Sequence, residues 1–138
     1  MAGGLVEEID GWSLSVAGWT VTRCFVDPAA FGLLIDGGTG DILRVYIQGR
    51  FTLAGGEGRE QSFGESNDAT AFAPLLALMA RAVARIFVSR NSELSLAFAD
   101  GSAIHVAPDP LSEAWELEGL GKLMLICPPG GGSPITFE

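Results

Sequence analysis

The stretch Asp41-Ile-Leu-Arg-Val-Tyr-Ile-Gln48 alternates apolar and polar side chains, and this period of two is typical of a half-buried strand. The alternation resumes at Phe51 and Leu53, just beyond a glycine. The apolar residues share one face of the predicted strand, whereas Arg44 and Tyr46 lie on the other. The stretch therefore predicts a sheet that packs one face against a core.

Two segments of the chain echo each other. Val21-Thr-Arg-Cys-Phe-Val26 and Val83-Ala-Arg-Ile-Phe-Val88 are identical at four of six positions. Each is followed by an apolar strand, an Asp-Gly turn (Asp36-Gly37 and Asp100-Gly101) and a returning strand. We interpret this echo as a duplicated three-strand meander.

The region between the two segments predicts the main helix, near residues 70–82. Pro74 restricts where a regular helix begins, because it has no N–H group to donate. The apolar residues at i, i+3, i+4 and i+7 share one face, namely Leu75, Leu78, Met79 and Ala82.

Short turns between the predicted strands favour antiparallel pairing. The expected fold class is α+β, with about eight strands in a largely antiparallel sheet and one main helix. Residues 1–11 are expected to form a flexible arm, and residues 12–138 a single α+β domain, since typical domains span about 100–150 residues.

The composition excludes several classes of partner. The formal charge is −9, from 17 acidic and 8 basic residues, and Lys122 is the only lysine. Such a chain repels phosphate backbones and anionic lipids, so we expect no nucleic acid and no membrane. No signal peptide is recognisable at the start of the sequence. Cys24 and Cys127, far apart and without a CxxC pattern, are typical of thiols in a reducing cytoplasm.

Four short motifs in the second half resemble a known family. They are Phe98-Ala-Asp-Gly101, Pro108-Asp109, Glu113-Ala-Trp-Glu116 and Cys127-Pro-Pro-Gly-Gly131. The chain resembles, from about Val21 to Gly132, an uncharacterised and mostly actinobacterial family of small domains of unknown function. The family has no established activity, so the resemblance implies no catalytic residue.

The residues offer no complete catalytic set. His105 is the only histidine, which removes every multi-histidine metal site. Neither cysteine lies in a recognisable Cys/His motif, and the glycine-rich stretches lack the Gly-Lys-Ser/Thr ending of a phosphate-binding loop. The sequence therefore favours a non-enzymatic domain with no metal and no cofactor.

Trp115 lies among carboxylates and is the most conspicuous candidate for binding. Tryptophan surrounded by charge is common in recognition surfaces, so Asp109, Glu113, Trp115 and Glu116 form the predicted binding segment. Strict alternation gives the opposite interpretation, in which Trp115 points into the core and Glu116 faces water. The sequence leaves both open.

Two functions follow as hypotheses. The first is a protein-binding module for a basic partner, immunity- or regulator-like, acting through an acidic face. The alternative is a small-ligand-binding or weakly catalytic domain with a pocket between helix and sheet, lined by Arg23, Arg44, Tyr46, His105 and Cys127. A homodimer through Leu123 and Leu125 is also expected, because residues 123–127 are apolar at every position.

Overall fold

The computed structural model describes residues 4–65 and 68–137, and in them thirteen strands form two sheets. The strands are β1 (Leu5–Glu8), β2 (Gly11–Leu14), β3 (Thr20–Asp27), β4 (Ala30–Asp36), β5 (Ile42–Gln48), β6 (Phe51–Ala54), β7 (Glu60–Phe63), β8 (Val83–Ser89), β9 (Leu94–Phe98), β10 (Ala103–Val106), β11 (Trp115–Gly119), β12 (Leu123–Ile126) and β13 (Ile135–Phe137).

Both sheets are antiparallel. The seven-stranded sheet has the order β1-β2-β8-β9-β10-β6-β7, and the six-stranded sheet has the order β13-β12-β11-β5-β4-β3. Only one short helix accompanies these strands in the described residues. The fold is therefore mostly β, which corrects the expected α+β class, whereas the expected antiparallel pairing is confirmed.

The additional strands lie at sheet edges, where the sequence shows no apolar alternation. Glu60–Phe63 falls in a stretch that predicted a long loop, yet it pairs with β6 as the edge strand β7. Leu5–Glu8 falls in the predicted N-terminal arm but pairs with β2 as the edge strand β1. Residues 1–3 of that arm lie outside the described residues. Edge strands expose both faces more than central strands do, so their sequences carry little apolar alternation.

The helix is a 3-10 helix over Ala69–Leu78, shorter than predicted and different in type. The Asp68 carboxylate caps it by accepting a hydrogen bond from the Thr70 N–H at 2.9 Å. Pro74 lies inside the helix and cannot donate to the preceding turn. Ala80 then adopts a left-handed conformation (φ 67°), which ends the segment before residue 82.

The helix contributes Phe72 to a cluster of phenylalanines between the sheets. Its ring lies 5.7 Å from that of Phe31 in β4, 6.2 Å from Phe51 in β6 and 6.5 Å from Phe63 in β7, centroid to centroid. The cluster joins both sheets, and the buried side chains of both belong to one hydrophobic core. Among the described residues, no helix is long and apolar enough to cross a bilayer.

The two similar segments start two meanders with the same pairing. β3-β4-β5 lies in the six-stranded sheet and β8-β9-β10 in the seven-stranded sheet. Each first strand carries a register shift near its start, at equivalent positions of the two similar segments: between Val21 and Arg23 in one and between Val83 and Arg85 in the other. The hairpin that follows each meander pairs with the other meander: β6-β7 extends from β10, and β11-β12 extends from β5.

Candidate functional site

Two rows of side chains cross the outer face of the six-stranded sheet. In β5, Val45 and Ile47 are buried, whereas Arg44 and Tyr46 face outward and are half-buried. Residues paired across antiparallel strands point to the same side, so the register defines each row. We call these two rows the aromatic face: Phe25, Gly32, Tyr46, Glu116, Ile126 and Ile135 in the first row, and Arg23, Leu34, Arg44, Glu118, Met124 and Phe137 in the second.

Arg44 lies at the centre of the aromatic face. Its guanidinium carbon is 4.6 Å from the centroid of the Tyr46 ring and 5.5 Å from that of Phe25. Its Nη1 atom is 3.9 Å from a carboxylate oxygen of Glu116 and 3.9 Å from one of Glu118. Ring stacking and two nearby carboxylates restrict the rotamers of this side chain before any partner binds.

The two aromatic rings are also fixed. Phe25 stacks on Tyr46 with a centroid distance of 6.0 Å, and it lies directly over Gly32. A methyl group at position 32 would come within 2.0 Å of the Phe25 ring, so the ring can occupy its observed position only when residue 32 is glycine. The Tyr46 hydroxyl donates a hydrogen bond to the Asp27 carboxylate at 2.9 Å, and burial together with this bond raises the pKa of Tyr46.

The far side of the aromatic face is apolar. Met124 and Ile126 are half-buried in β12, while Ile135 and Phe137 in the edge strand β13 are 40% and 53% exposed. Ile42 lies beside them, and a depression of about 560 Å³ is bordered by Ile42, Arg44, Met124 and Phe137 among others. Apolar side chains thus continue from the sheet centre to its open edge.

The outer face of the seven-stranded sheet has the same construction and a different composition. Phe87 corresponds to Phe25 and has Arg85 over its ring, with the guanidinium carbon 4.6 Å from the ring centroid. The other members of its two equivalent rows are small or polar: Ser95, His105, Thr52 and Ser62 in one, and Arg85, Ala97, Ala103, Ala54 and Glu60 in the other. His105 takes the place that Tyr46 has on the aromatic face, and Ser62 takes the place of Ile126. The fold thus accepts polar residues where the aromatic face has apolar ones.

His105 makes one hydrogen bond, between its Nδ1 atom and the Ser95 hydroxyl at 3.1 Å. Both residues lie on the outer face of the sheet, and His105 is exposed. In the described part of the chain, no carboxylate is hydrogen-bonded to the imidazole to orient it as a base. This pair therefore has the geometry of a surface hydrogen bond.

The predicted acidic binding segment does not form one surface. Trp115 is completely buried and donates its indole N–H to the Ser92 carbonyl at 2.9 Å, so it is a core residue and no surface anchor. The interpretation from strict alternation is the correct one for this residue. Asp109 accepts from the Leu111 N–H in a local turn, and Glu116 belongs to the aromatic face beside Arg44.

The five residues of the alternative pocket are also separated. Arg23, Arg44 and Tyr46 lie together on the aromatic face, whereas His105 lies on the outer face of the other sheet. Cys127 is buried, and burial raises the pKa of its thiol, with the Glu113 and Asp109 carboxylates acting in the same direction. These residues therefore cannot line a single pocket.

A cleft does lie between the helix and the seven-stranded sheet, with a different lining. Its volume is about 550 Å³, and its polar side chains include Arg59, Arg81 and Asp100. Among the residues that the structure describes, including those of this cleft, no three histidine, cysteine, aspartate or glutamate side chains converge as metal ligands would.

The predicted dimer residues are not available at the surface. Leu123 and Leu125 are 1% and 2% exposed, because they point into the core of their own chain. Their neighbours in β12, Met124 and Ile126, point outward on the aromatic face. An interface on this strand would use the second pair.

A family model described as a family of unknown function (DUF6188) matches residues 12–134, which is nearly the whole sequence. The chain belongs to this family. The predicted membership in an uncharacterised family is thus confirmed, and the family carries no assigned activity with it. No curated protein and no solved structure matched the chain.

Sequence patterns in this DUF6188 domain predict only part of the aromatic face. Alternation in β5 predicts that Arg44 and Tyr46 face outward. The side of the sheet on which Phe25 lies is not predictable in the same way, because its strand has apolar residues on both faces. The outward direction of Met124 and Ile126 is not predictable either, because β12 is apolar at every position. The signal that finds them is the period of two, applied from the buried residues Leu123 and Leu125.

Proposed function

We propose that this protein is a non-enzymatic protein-binding domain, and that the aromatic face is its docking surface. The single observation that carries the proposal is the contrast between the outer faces of the two sheets. Outer faces of antiparallel sheets are usually polar, and the seven-stranded sheet follows this rule. Phe87 is the one large apolar residue in its two rows, whereas the equivalent strands of the six-stranded sheet carry five large apolar or aromatic residues beside their charged ones: Phe25, Leu34, Tyr46, Met124 and Ile126.

The equivalence of the two faces makes the contrast informative. Each face is built from a three-strand meander and the two-strand hairpin that pairs with its last strand. We interpret the two meander segments as copies of one unit that have diverged. Ser62 and His105 occupy places equivalent to those of Ile126 and Tyr46. Folding alone therefore does not require apolar residues there, and an exposed apolar patch is typical of a binding surface.

The residue types also suit a protein partner. Tyrosine and arginine are enriched among the residues that dominate binding energy, and phenylalanine and methionine are enriched at interfaces generally. Arg44, Tyr46 and Phe25 are held in place by one another before a partner arrives. Such preorganisation reduces the conformational entropy that binding would otherwise cost.

The charges favour a basic partner. Four carboxylates belong to the strands that carry the aromatic face (Asp27, Asp36, Glu116 and Glu118), against two arginines in the same strands (Arg23 and Arg44). With a net charge of −9, the protein attracts basic surfaces at long range. Inhibition or regulation of a basic protein, in the manner of an immunity protein, is a role of this kind. Two free cysteines fit a cytoplasmic location, which we propose with it.

The test compares two double variants as affinity baits in native extract. Tyr46→His with Ile126→Ser replaces two residues of the aromatic face by those at the equivalent places on the other sheet. His105→Ala with Ser62→Ala is the matched control on the seven-stranded sheet. We expect the wild type and the control to retain the same basic protein in stoichiometric amount, and the aromatic-face variant to bind it at least about tenfold more weakly.

Retention must also decrease when the salt concentration rises from about 0.05 to 0.3 M, because screening weakens the charge attraction. Circular dichroism and urea unfolding establish that both variants remain folded. A folded aromatic-face variant that keeps the partner, or a control that loses it, would place the docking surface elsewhere.

A further inference from the structure

The cleft between the helix and the β6-β7 hairpin has the size of a small-molecule site. Its volume of about 550 Å³ falls within the range of roughly 300–1,000 Å³ that is usual for ligand pockets. Its floor is apolar and comes from both the sheet and the helix: Leu53, Pro74, Ala77 and Leu78. The rim is polar, with two of the eight basic residues of the chain.

Arg81 is fixed at one side of the cleft. Its Nε atom donates to the Ala77 carbonyl at 3.0 Å, and its Nη1 atom forms an ion pair with Asp100. The other oxygen of Asp100 accepts from the N–H and the hydroxyl of Ser102, at 3.0 and 2.6 Å. The Asp100 carboxylate is thus satisfied within the protein, while the guanidinium of Arg81, which has five N–H donors, keeps further donors for a ligand.

Arg59 is exposed at the rim and forms no ion pair with any residue in the described ranges. Arg23 also forms no ion pair among the described residues, but it lies on the aromatic face and not at this cleft. Glu57 also lines the cleft, but it pairs with neither Arg59 nor Arg81. Its carboxylate repels an anion in proportion to the charge of that anion, so a monoanion suits the rim better than a doubly charged phosphate.

The hairpin that forms this wall pairs with β10 through β6 and approaches the β9-β10 turn closely at Gly56. Gly56 lies so close to the turn between β9 and β10 that a methyl group there would come within 2.7 Å of the Asp100 carbonyl oxygen. Glycine at position 56 therefore lets the hairpin lie against the turn that carries Asp100, and Arg59 lines the same cleft as Arg81.

We propose that this cleft binds a small carboxylate with an apolar body. The carboxylate would be held by Arg59 and by the free N–H groups of Arg81, and the apolar body would cover Leu53 and Leu78. A planar guanidinium matches a carboxylate with two parallel hydrogen bonds. The site is separate from the aromatic face and does not depend on the protein-binding function.

The test is a titration of the ¹⁵N-labelled protein followed by ¹H–¹⁵N correlation spectra. The probes are hexanoate, benzoate and phenylacetate, each compared with its neutral amide. We expect saturable shifts at Gly55, Gly56 and Ser102 with at least one acid, and weaker binding of the matching amide. Arg59→Gln should weaken the affinity for that acid at least about tenfold, because a charge-assisted hydrogen bond is lost.

Arg50→Gln is the matched control, since Arg50 is 79% exposed and does not line this cleft. It should leave the affinity unchanged. The proposal is overturned if none of the three acids gives saturable shifts at the cleft, if the acid and its amide bind equally, or if Arg59→Gln binds like the wild type. None of these outcomes bears on the aromatic face, which the bait experiment tests separately.

Discussion

Thr20 and Ala82 form an isolated antiparallel bridge between the starts of the two meanders. The residues that follow them, Val21 and Val83, each donate their N–H group to a carbonyl of the other half, at 2.9 and 2.7 Å. Thr20 precedes Val21 as Ala82 precedes Val83, so both halves contribute the same position to this contact. The two halves of the chain thus meet at equivalent residues and make reciprocal bonds.

This arrangement predicts that the two halves fold only together. Cutting the chain between residues 66 and 67 separates β2 from β8, β5 from β11 and β6 from β10, which are all neighbours within a sheet. Each fragment would expose the core side of its strands and unpaired strand edges. We expect fragments 1–66 and 67–138 to be largely unfolded alone and to form a one-to-one complex with a β-sheet circular dichroism spectrum when mixed.

The measurement combines circular dichroism with light scattering of each fragment and of the mixture. A fragment of unrelated sequence and similar length serves as the control partner. Cooperative unfolding of either fragment by itself would contradict the prediction and would make that half an independent domain.

The periodicity of the sequence predicted the central strands well. Alternation in Ile42–Gln48 and the echo of Val21–Val26 in Val83–Val88 identify strands whose buried faces are fixed by the core. The predicted α-helix is a 3-10 helix, because the apolar spacing resembles an α-helical pattern whereas Pro74, inside the segment, cannot donate the hydrogen bond that an α-helix requires there. The strand β7 was not predicted, since polar residues at an edge carry no burial signal.

The aromatic face depends on register, which the sequence does not encode locally. Phe25 reaches its position only because Gly32 is paired with it across β3 and β4, and Tyr46 is paired with Gly32 on the other side. The burial of Trp115 likewise depends on tertiary structure, since its indole N–H donates to the Ser92 carbonyl in a turn that is distant in the sequence. Alternation gave the correct side for Trp115, but its charged neighbours suggested a surface position.

Trp115→Phe is expected to destabilise the fold without touching the aromatic face. It removes the indole donor, leaves the buried Ser92 carbonyl unpaired and opens space in the core. The two effects together predict a decrease of about 2–4 kcal/mol in the free energy of unfolding, measured by urea titration. Glu113→Ala, two residues away, should change it by less than about 0.5 kcal/mol. Equal effects of the two substitutions would contradict the assignment of Trp115 to the core.

Gly32→Ala is expected to destabilise the protein through a clash with the Phe25 ring. The added methyl group would lie within 2.0 Å of that ring, and the ring would have to leave its stack on Tyr46. We expect a loss of about 1–3 kcal/mol in unfolding free energy, typical of overpacking.

The double variant Gly32→Ala with Phe25→Ala decides whether the clash is the cause. Removing the ring makes room for the methyl group, so the double variant should lose less stability than the sum of the two single variants. Additive losses in unfolding free energy would mean that the backbone of β4 requires glycine at position 32 and that the Phe25 ring does not pack against it.

The two thiols are expected to react slowly in the folded protein. Burial raises the pKa of both Cys24 and Cys127, so a smaller fraction of each is thiolate at pH 8 than in the unfolded chain. Reaction with a chromogenic disulfide should be at least about tenfold slower in native protein than in urea, and Cys24→Ser assigns the remaining signal to Cys127.

The raised thiol pKa values also make the free energy of unfolding depend on pH, because the folded state keeps these protons to a higher pH than the unfolded state. The stabilisation is complete below the unfolded-state pKa and is lost as the pH rises through the folded-state pKa, so unfolding free energy should fall above about pH 8.5. Rapid modification of Cys127 in the folded Cys24→Ser variant would contradict its burial and would make this thiol a candidate reactive group again.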